Sequence, residues 1–281
     1  MDELVKELNV LKIDCNQNKT NCDQNSRQLV DTIEKYAKTV LSITWDQELV
    51  ITSDEFRTEN SEKVMNSIQY LLDGIKQLCD ELDDNRRSDQ TLDLNDYQSV
   101  RRLLSNDFAE CLLWRKAGLL YAFCNCKLNG CLKLSSDSFQ IEDNNQLSDE
   151  EFRHKVLQYL IEGIQWYRLF LSQRQPFDDI LSRDGEEEAM KTSEALISNN
   201  IFSDNHLLSL MYLSEMCFWY QKYSNHWRLY LHTSGFDVEL CAKRCLKLYI
   251  NAVENHFRPF GWNCDKAIQL LHLIDVWKQC F

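Results

Sequence analysis

Two prolines and seven glycines are spread over 281 residues. Average usage would give roughly 14 and 20. Turn-rich β architectures depend on both residue types, whereas Gly loosens a helix interior and Pro breaks it. The shortage disfavours a β sandwich or barrel and favours an all-α fold. The same shortage bears on chemistry. Neither G-x-x-x-x-G-K-[ST] nor G-x-G-x-x-G occurs, so no Gly-rich loop is available to cradle phosphates.

Positive charge is also scarce. Thirty-one Lys and Arg face 44 Asp and Glu, for a net charge of −13. Without a basic stripe, nucleic-acid binding and docking on anionic lipid both lack their electrostatic footing. An acidic surface suits a basic or neutral protein partner. No apolar run approaches the roughly 18 residues of a membrane helix. The longest, residues 207–220, is interrupted by Ser209, Ser214 and Glu215. No direct membrane insertion is expected. The start, Met1-Asp2-Glu3-Leu4-Val5, has neither the basic nor the apolar region of a signal peptide. A cytosolic protein is expected, with its 12 cysteines as free thiols packed like small hydrophobes.

What is present is helical periodicity. Leu29, Ile33, Tyr36, Val40 and Ile43 recur at three- and four-residue steps. Val64, Ile68, Leu72, Ile75, Leu78 and Leu82 form a second stripe. Residues 45–60 between them read as a connector with an extended piece at 49–51. Residues 83–93 read as a charged loop. Residues 108–126 are apolar almost all round, as in a helix buried on several sides. Residues 135–146 read as a flexible acidic loop. Ser148 and Glu151 form a capping box for a helix carrying Phe152, Val156, Leu160, Ile164, Tyr167 and Leu171. Pro176 prevents its continuation. A short amphipathic helix covers 186–197, and Ser203 is a good N-cap for a helix to about 223. Another spans 237–257, ended by Pro259 and Gly261, and Asn263 caps a last one over 264–280. The expected architecture is an irregular bundle of nine or ten helices. One domain spans 26–281 after a poorly defined segment 1–25, with 135–147 as a possible internal division.

Catalytic chemistry finds little support, so the chain reads as no enzyme, with no cofactor and no metal. The densest cysteine group, Cys111, Cys124, Cys126 and Cys131, lacks zinc-site spacing. Di-iron carboxylate bundles need two E-x-x-H motifs, and only Glu151-Phe152-Arg153-His154 fits. No G-x-S-x-G is present. Two acids stand out, because Glu110 and Glu215 lie on strongly apolar helices where a carboxylate must be paired, protonated or at a wet edge. One reading is an internal ion pair with Arg115 as partner. The other is a recognition surface built from Glu110, Trp114, Arg115, Glu215 and Trp219, since Trp and Arg anchor protein interfaces. Trp227, in a polar stretch, is a further anchor candidate. The alternative in a different class is a helical ligand-binding or enzymatic bundle with a pocket near Glu110 and Glu215.

Three segments carry a family resemblance. They are 104–124 (LSNDFAECLLWRKAGLLYAFC), 196–223 (LISNNIFSDNHLLSLMYLSEMCFWYQKY) and 262–271 (WNCDKAIQLL). Together they resemble a family of eukaryotic proteins whose animal member is the Rab-seven-interacting subunit associated with the Mon–Ccz exchange-factor complex. Weaker similarity runs from about residue 29 to the end. The resemblance implies a non-catalytic adaptor that binds the late-endosomal GTPase Rab-seven and supports its Mon–Ccz exchange factor. It implies a role in endosomal maturation and mitophagy, with recruitment to late endosomes or damaged mitochondria through partners. Phe202 and Asp204, in the second segment, join the candidate interface residues. The family carries no catalytic residues to transfer.

Overall fold

A computed structural model describes residues 6, 10, 24–58, 60–83, 97–129, 132–135, 138–141, 149–173, 203–229 and 237–277. Among these residues the fold is all-α, with eight α-helices and one short hairpin. The helix expected over 186–197, the loop at 84–93, Ser148 and Pro176 lie outside the described residues. The chain divides into two compact units, Met1–Leu119 and Leu120–Phe281.

In the first unit, α1 (Gln24–Ser53) packs on α2 (Ser61–Leu82), and the short α3 (Gln98–Leu103) also packs on α2. Helix α2 buries Met65, Ile68, Leu72, Ile75, Cys79 and Leu82, a stripe of three- and four-residue steps. Helix α1 extends to Ser53 and so takes up the first part, 45–53, of the stretch expected to be a connector, while 54–56 are turn. Its buried stripe is Ile33, Ala37, Val40, Thr44 and Ile51, with Glu48 half-buried. The stripe looks broken in the sequence because Thr44 and Glu48 are polar. Both face Arg115, which makes these positions interior. After α1, Glu55 and Phe56 adopt left-handed φ values of 52° and 53°. Such backbone costs a non-glycine residue about 1–2 kcal/mol. Burial of the Phe56 side chain, 2% exposed, offsets that cost.

Helix α4 (Asn106–Asn129) supplies residues to both units. It is followed by the hairpin β1 (Leu132–Ser135) and β2 (Ser138–Ile141), antiparallel in the register Leu132↔Ile141 and Ser135↔Ser138. Part of the expected acidic loop is therefore strand. The apolar–polar alternation of Leu132-Lys133-Leu134 and Phe139-Gln140-Ile141 explains it.

In the second unit, α6 (Asp204–Trp227) packs against α5 (Glu150–Ser172), α7 (Val238–Ala252) and α8 (Asp265–Trp277). Asp149 caps α5, its side chain accepting from the Glu151 N–H at 3.1 Å. Ser203 caps α6 as expected, with a histidine in the usual Glu/Gln place: His206 Nδ1 lies 2.7 Å from Ser203 Oγ. Gly163 on α5 lets Met216 of α6 approach, since an added Cβ would lie 2.9 Å from its Sδ. Helix α7 ends at Ala252 and continues as a π-turn, Val253–Phe257, and a 3-10 turn, Arg258–Phe260. Gly261, at φ 89°, then reverses the chain into α8.

Candidate protein interface

The first unit gathers most of its buried charge around α4. Arg115 is 7% exposed. Its guanidinium donates to Glu48 Oε2 at 2.6 and 3.1 Å, to Thr44 Oγ1 at 2.9 Å and to the Leu41 carbonyl at 2.8 Å. It also lies 5.7 Å from the Trp45 ring. The ion pair expected for Arg115 thus exists, but its carboxylate is Glu48. Glu48 could not be chosen in advance, because residues 45–60 read as a connector. Next to it, Lys116 pairs with Asp73 at 2.5 Å. Lys76 donates to Asp80 at 2.6 Å, Asp80 also accepts from Ser99, and Arg102 pairs with Asp83. These bonds pin α1, α3 and α4 to their neighbours and leave Arg115 little surface for another protein. Glu110 is buried on the same helix and Trp114 is half-buried.

In the second unit, Tyr212, Glu215 and Trp219 share one face of α6, at the spacing i, i+3, i+7. The Tyr121 ring stacks on Tyr212 at 3.9 Å between centroids and on Trp219 at 5.6 Å. Its hydroxyl donates to Glu215 Oε2 at 2.6 Å. Lys266 from α8 pairs with Oε1. Glu215 is 2% exposed, so a carboxylate buried on an apolar helix is held by one hydroxyl and one ammonium. Burial, followed by the nearby Glu215 charge, pushes the Tyr121 hydroxyl far above the usual phenol range. It stays a proton donor at all physiological pH.

Lys266 also lines a surface cleft of about 440 Å³ with Met211, Tyr249, Phe260, Gly261, Trp262 and Asn263. Tyr249 donates to the Asn263 carbonyl at 3.1 Å and meets the Trp262 ring edge-on at 6.4 Å. Phe260 is 78% exposed, the largest fraction among the described large apolar residues. The backbone that places it comes from the sequence Pro259-Phe260-Gly261-Trp262: Pro259 is the second residue of the 3-10 turn and Gly261 supplies the left-handed residue. Sequence reasoning read Pro259 and Gly261 as helix stops and Trp262 only as the start of the third family segment. The signal was two aromatics interleaved with two helix breakers.

The remaining candidates are distributed as follows. Asp204 is exposed in the first turn of α6, and Phe202 lies outside the described residues. Trp219 is 4% exposed. Trp227 is the last residue of α6, not part of a loop, and is 8% exposed. It packs on Tyr223 at 4.9 Å, with the Arg153 guanidinium 5.8 Å from its ring. Among the described residues no group of three or more His, Cys, Asp or Glu has a metal-binding arrangement, and no helix is long and apolar enough to cross a membrane.

Comparison with known sequences places these features. The profile of the family described as RAB7A-interacting MON1-CCZ1 complex subunit 1 matches residues 5–275. The chain belongs to this family. A Danio rerio protein of that name is 27% identical over 258 residues, covering 89% of this chain and 80% of the relative. The Homo sapiens protein of the same name is 26% identical over 283 residues, covering 94% and 83%. No solved structure matches the fold. Family members are named as subunits of a MON1-CCZ1 complex that interact with RAB7A.

Proposed function

We propose that this chain is a non-catalytic accessory subunit that binds a RAB7A-type late-endosomal GTPase and supports its MON1–CCZ1 exchange factor. The family match over residues 5–275 carries this reading. The missing phosphate loop supports it, because the chain is then a partner of a GTPase and not one itself. Recruitment to late endosomes, and to damaged mitochondria during mitophagy, would follow from its partners. The alternative ligand-binding pocket at Glu215 has less support, since Tyr121 and Lys266 already engage both carboxylate oxygens.

We assign the contact surface for the GTPase to the cleft around Phe260, Trp262 and Lys266. An exposed aromatic on a fixed turn is a suitable anchor for an interface. Of the earlier candidates, Asp204 and Trp114 keep some exposure, while Glu110, Arg115, Glu215, Trp219 and Trp227 are buried. The test is a reconstituted binding assay. The purified chain is titrated with the GTPase loaded with GDP or a GTP analogue, with and without the exchange factor. Binding to at least one partner is expected, and Phe260→Asp should weaken it about tenfold. Recovery of neither partner at low salt would sink the adaptor reading. Normal binding by the Phe260→Asp variant would remove the cleft but leave the adaptor role standing.

A further inference from the structure

The outer face of α1 is apolar near its C-terminal end, where a solvent-facing helix is ordinarily polar. Nine large apolar side chains are exposed among the described residues. Three of them, Trp45, Leu49 and Val50, fall within two turns of α1, at 53%, 47% and 68% exposure. Trp45 and Leu49 stand one turn apart, and the half-buried Leu41 continues the stripe one turn back. Val50 lies beside Leu49. The buried face of α1 is a different one, built from Ile33, Ala37, Val40 and Ile51. Exposed apolar residues scattered singly are ordinary, but a contiguous patch marks a contact site.

Trp45 is also held in place. The Arg115 guanidinium lies over its ring, 5.7 Å from the centre. That guanidinium is itself fixed by Glu48, Thr44 and the Leu41 carbonyl, so the indole rests on a rigid, buried base. A half-exposed indole that is already fixed loses little side-chain freedom on binding. Both properties suit Trp45 to the centre of an interface.

The groups around the patch define its complement. A helix face offers no free backbone N–H or C=O groups, so an extended strand docked there would leave its own unpaired. A helix arrives with its backbone satisfied and packs ridge into groove. Asp46 is exposed at the border of the patch, one turn from Val50, and among the described residues no ion pair neutralises it. The nearest lysine on α1, Lys38, pairs with Glu34 at 2.5 Å. The last turn of α1 holds no basic residue, and its carbonyls carry the negative end of the helix dipole. An apolar stripe with an acidic border is complementary to an apolar stripe with a basic border. A second copy docked across a two-fold axis would bring Asp46 towards Asp46 and two chains of net charge −13 together, and anionic lipid would meet the same repulsion.

We propose that Trp45, Leu49 and Val50 of α1 form a docking surface for a basic amphipathic helix of a partner protein. Trp45 and Leu49 take the partner's apolar stripe, and Asp46 with the end of α1 takes a Lys or Arg from its flank. The surface shares no residue with the Phe260 cleft and does not depend on it. It gives the chain a second contact, on the first unit, beyond the one assigned to the GTPase. Three residues make a small contact, so weak affinity and a strong salt dependence are expected.

The test uses the full-length protein and a synthetic amphipathic helix of about 18 residues, with Leu on one face and Lys on the other. The peptide carries a fluorophore and a benzophenone on its apolar face. A Leu/Glu peptide with the same apolar face and phosphatidylserine vesicles are the controls. Saturable binding of the Leu/Lys peptide is expected, with photo-cross-links mapped by mass spectrometry to residues 45–50. Trp45→Ala and Asp46→Lys should each weaken it about tenfold, and Phe260→Asp should leave it unchanged. The proposal is overturned if the cross-links fall elsewhere, if Trp45→Ala binds like wild type, or if the Leu/Glu peptide binds equally well. It is also overturned if sedimentation shows a dimer that Trp45→Ala abolishes, or if the vesicles bind through Trp45. The wild-type cross-link map decides the site without any variant, so a variant that fails to fold does not block the test. The GTPase titration with Phe260→Asp is a separate measurement, so failure here leaves the accessory reading to be judged on its own.

Discussion

Arg115 shows how a single side chain can combine the two marks of an interface hot spot, Arg beside Trp, and still be internal. Four donated hydrogen bonds hold it against α1. Truncation to Ala leaves the Glu48 carboxylate half-buried without its cation. Breaking a buried pair in this way costs about 3–5 kcal/mol, and the low end applies because Glu48 keeps some exposure. Urea unfolding of Arg115→Ala should show that loss, and restoring the balance with Glu48→Gln should recover part of it. Arg115→Glu should unfold more readily still, with two carboxylates in contact. Lys222 makes a second prediction at this scale. Burial lowers its ammonium to about 8 from the usual lysine range. Below pH 8 it is charged in both the folded and unfolded states, and the fold bears the full cost of burying it. Between pH 8 and the unfolded value the unfolded chain holds the extra proton, so this residue makes stability rise with pH. Thermal melts from pH 7 to 10 should show Lys222→Met lacking that upward contribution relative to wild type. An identical pH slope in both proteins would remove the assignment.

Among the elements, the sequence was most legible where one apolar stripe faces one neighbour. Ile68, Leu72, Ile75 and Leu82 of α2 announce themselves, as does the Ser203 cap of α6. It was least legible where a polar residue holds an interior position. Thr44 and Glu48 hid the second half of α1, because their partner Arg115 is 67 positions from Glu48 in the chain. The Glu215 site shows the same limit. Glu215 was conspicuous, but Tyr121 and Lys266 lie on other helices, and spacing within one helix does not reveal which helices meet. Helix ends obey local rules that can be tested. Arg228 terminates α6 at φ 55°, a left-handed position that glycine takes without strain, with Leu229 N–H donating to the Ser224 carbonyl at 3.0 Å. Arg228→Gly should therefore raise stability by up to about 1 kcal/mol. A decrease in urea midpoint would show that the Arg228 side chain makes an unrecognised contribution.

At the scale of the whole molecule, seven single glycines and a net charge of −13 restrict what the protein handles. A fluorescent GTP analogue should show no saturable binding to the isolated chain, because its sequence holds no Gly-rich phosphate-binding loop. Saturable binding would contradict the proposed accessory role. The all-helical class follows from composition. The surface that meets a partner does not, because it depends on which aromatics the turns leave outside.

The turn that carries Phe260 has a kinetic consequence. A π-turn, a proline and a left-handed glycine hold the ring outside before any partner arrives. Little backbone freedom is then left to lose on docking. Changes to the ring should therefore shorten the lifetime of a complex, whereas changes to Gly261 should slow its formation, so residence time and encounter rate become separately adjustable at neighbouring positions.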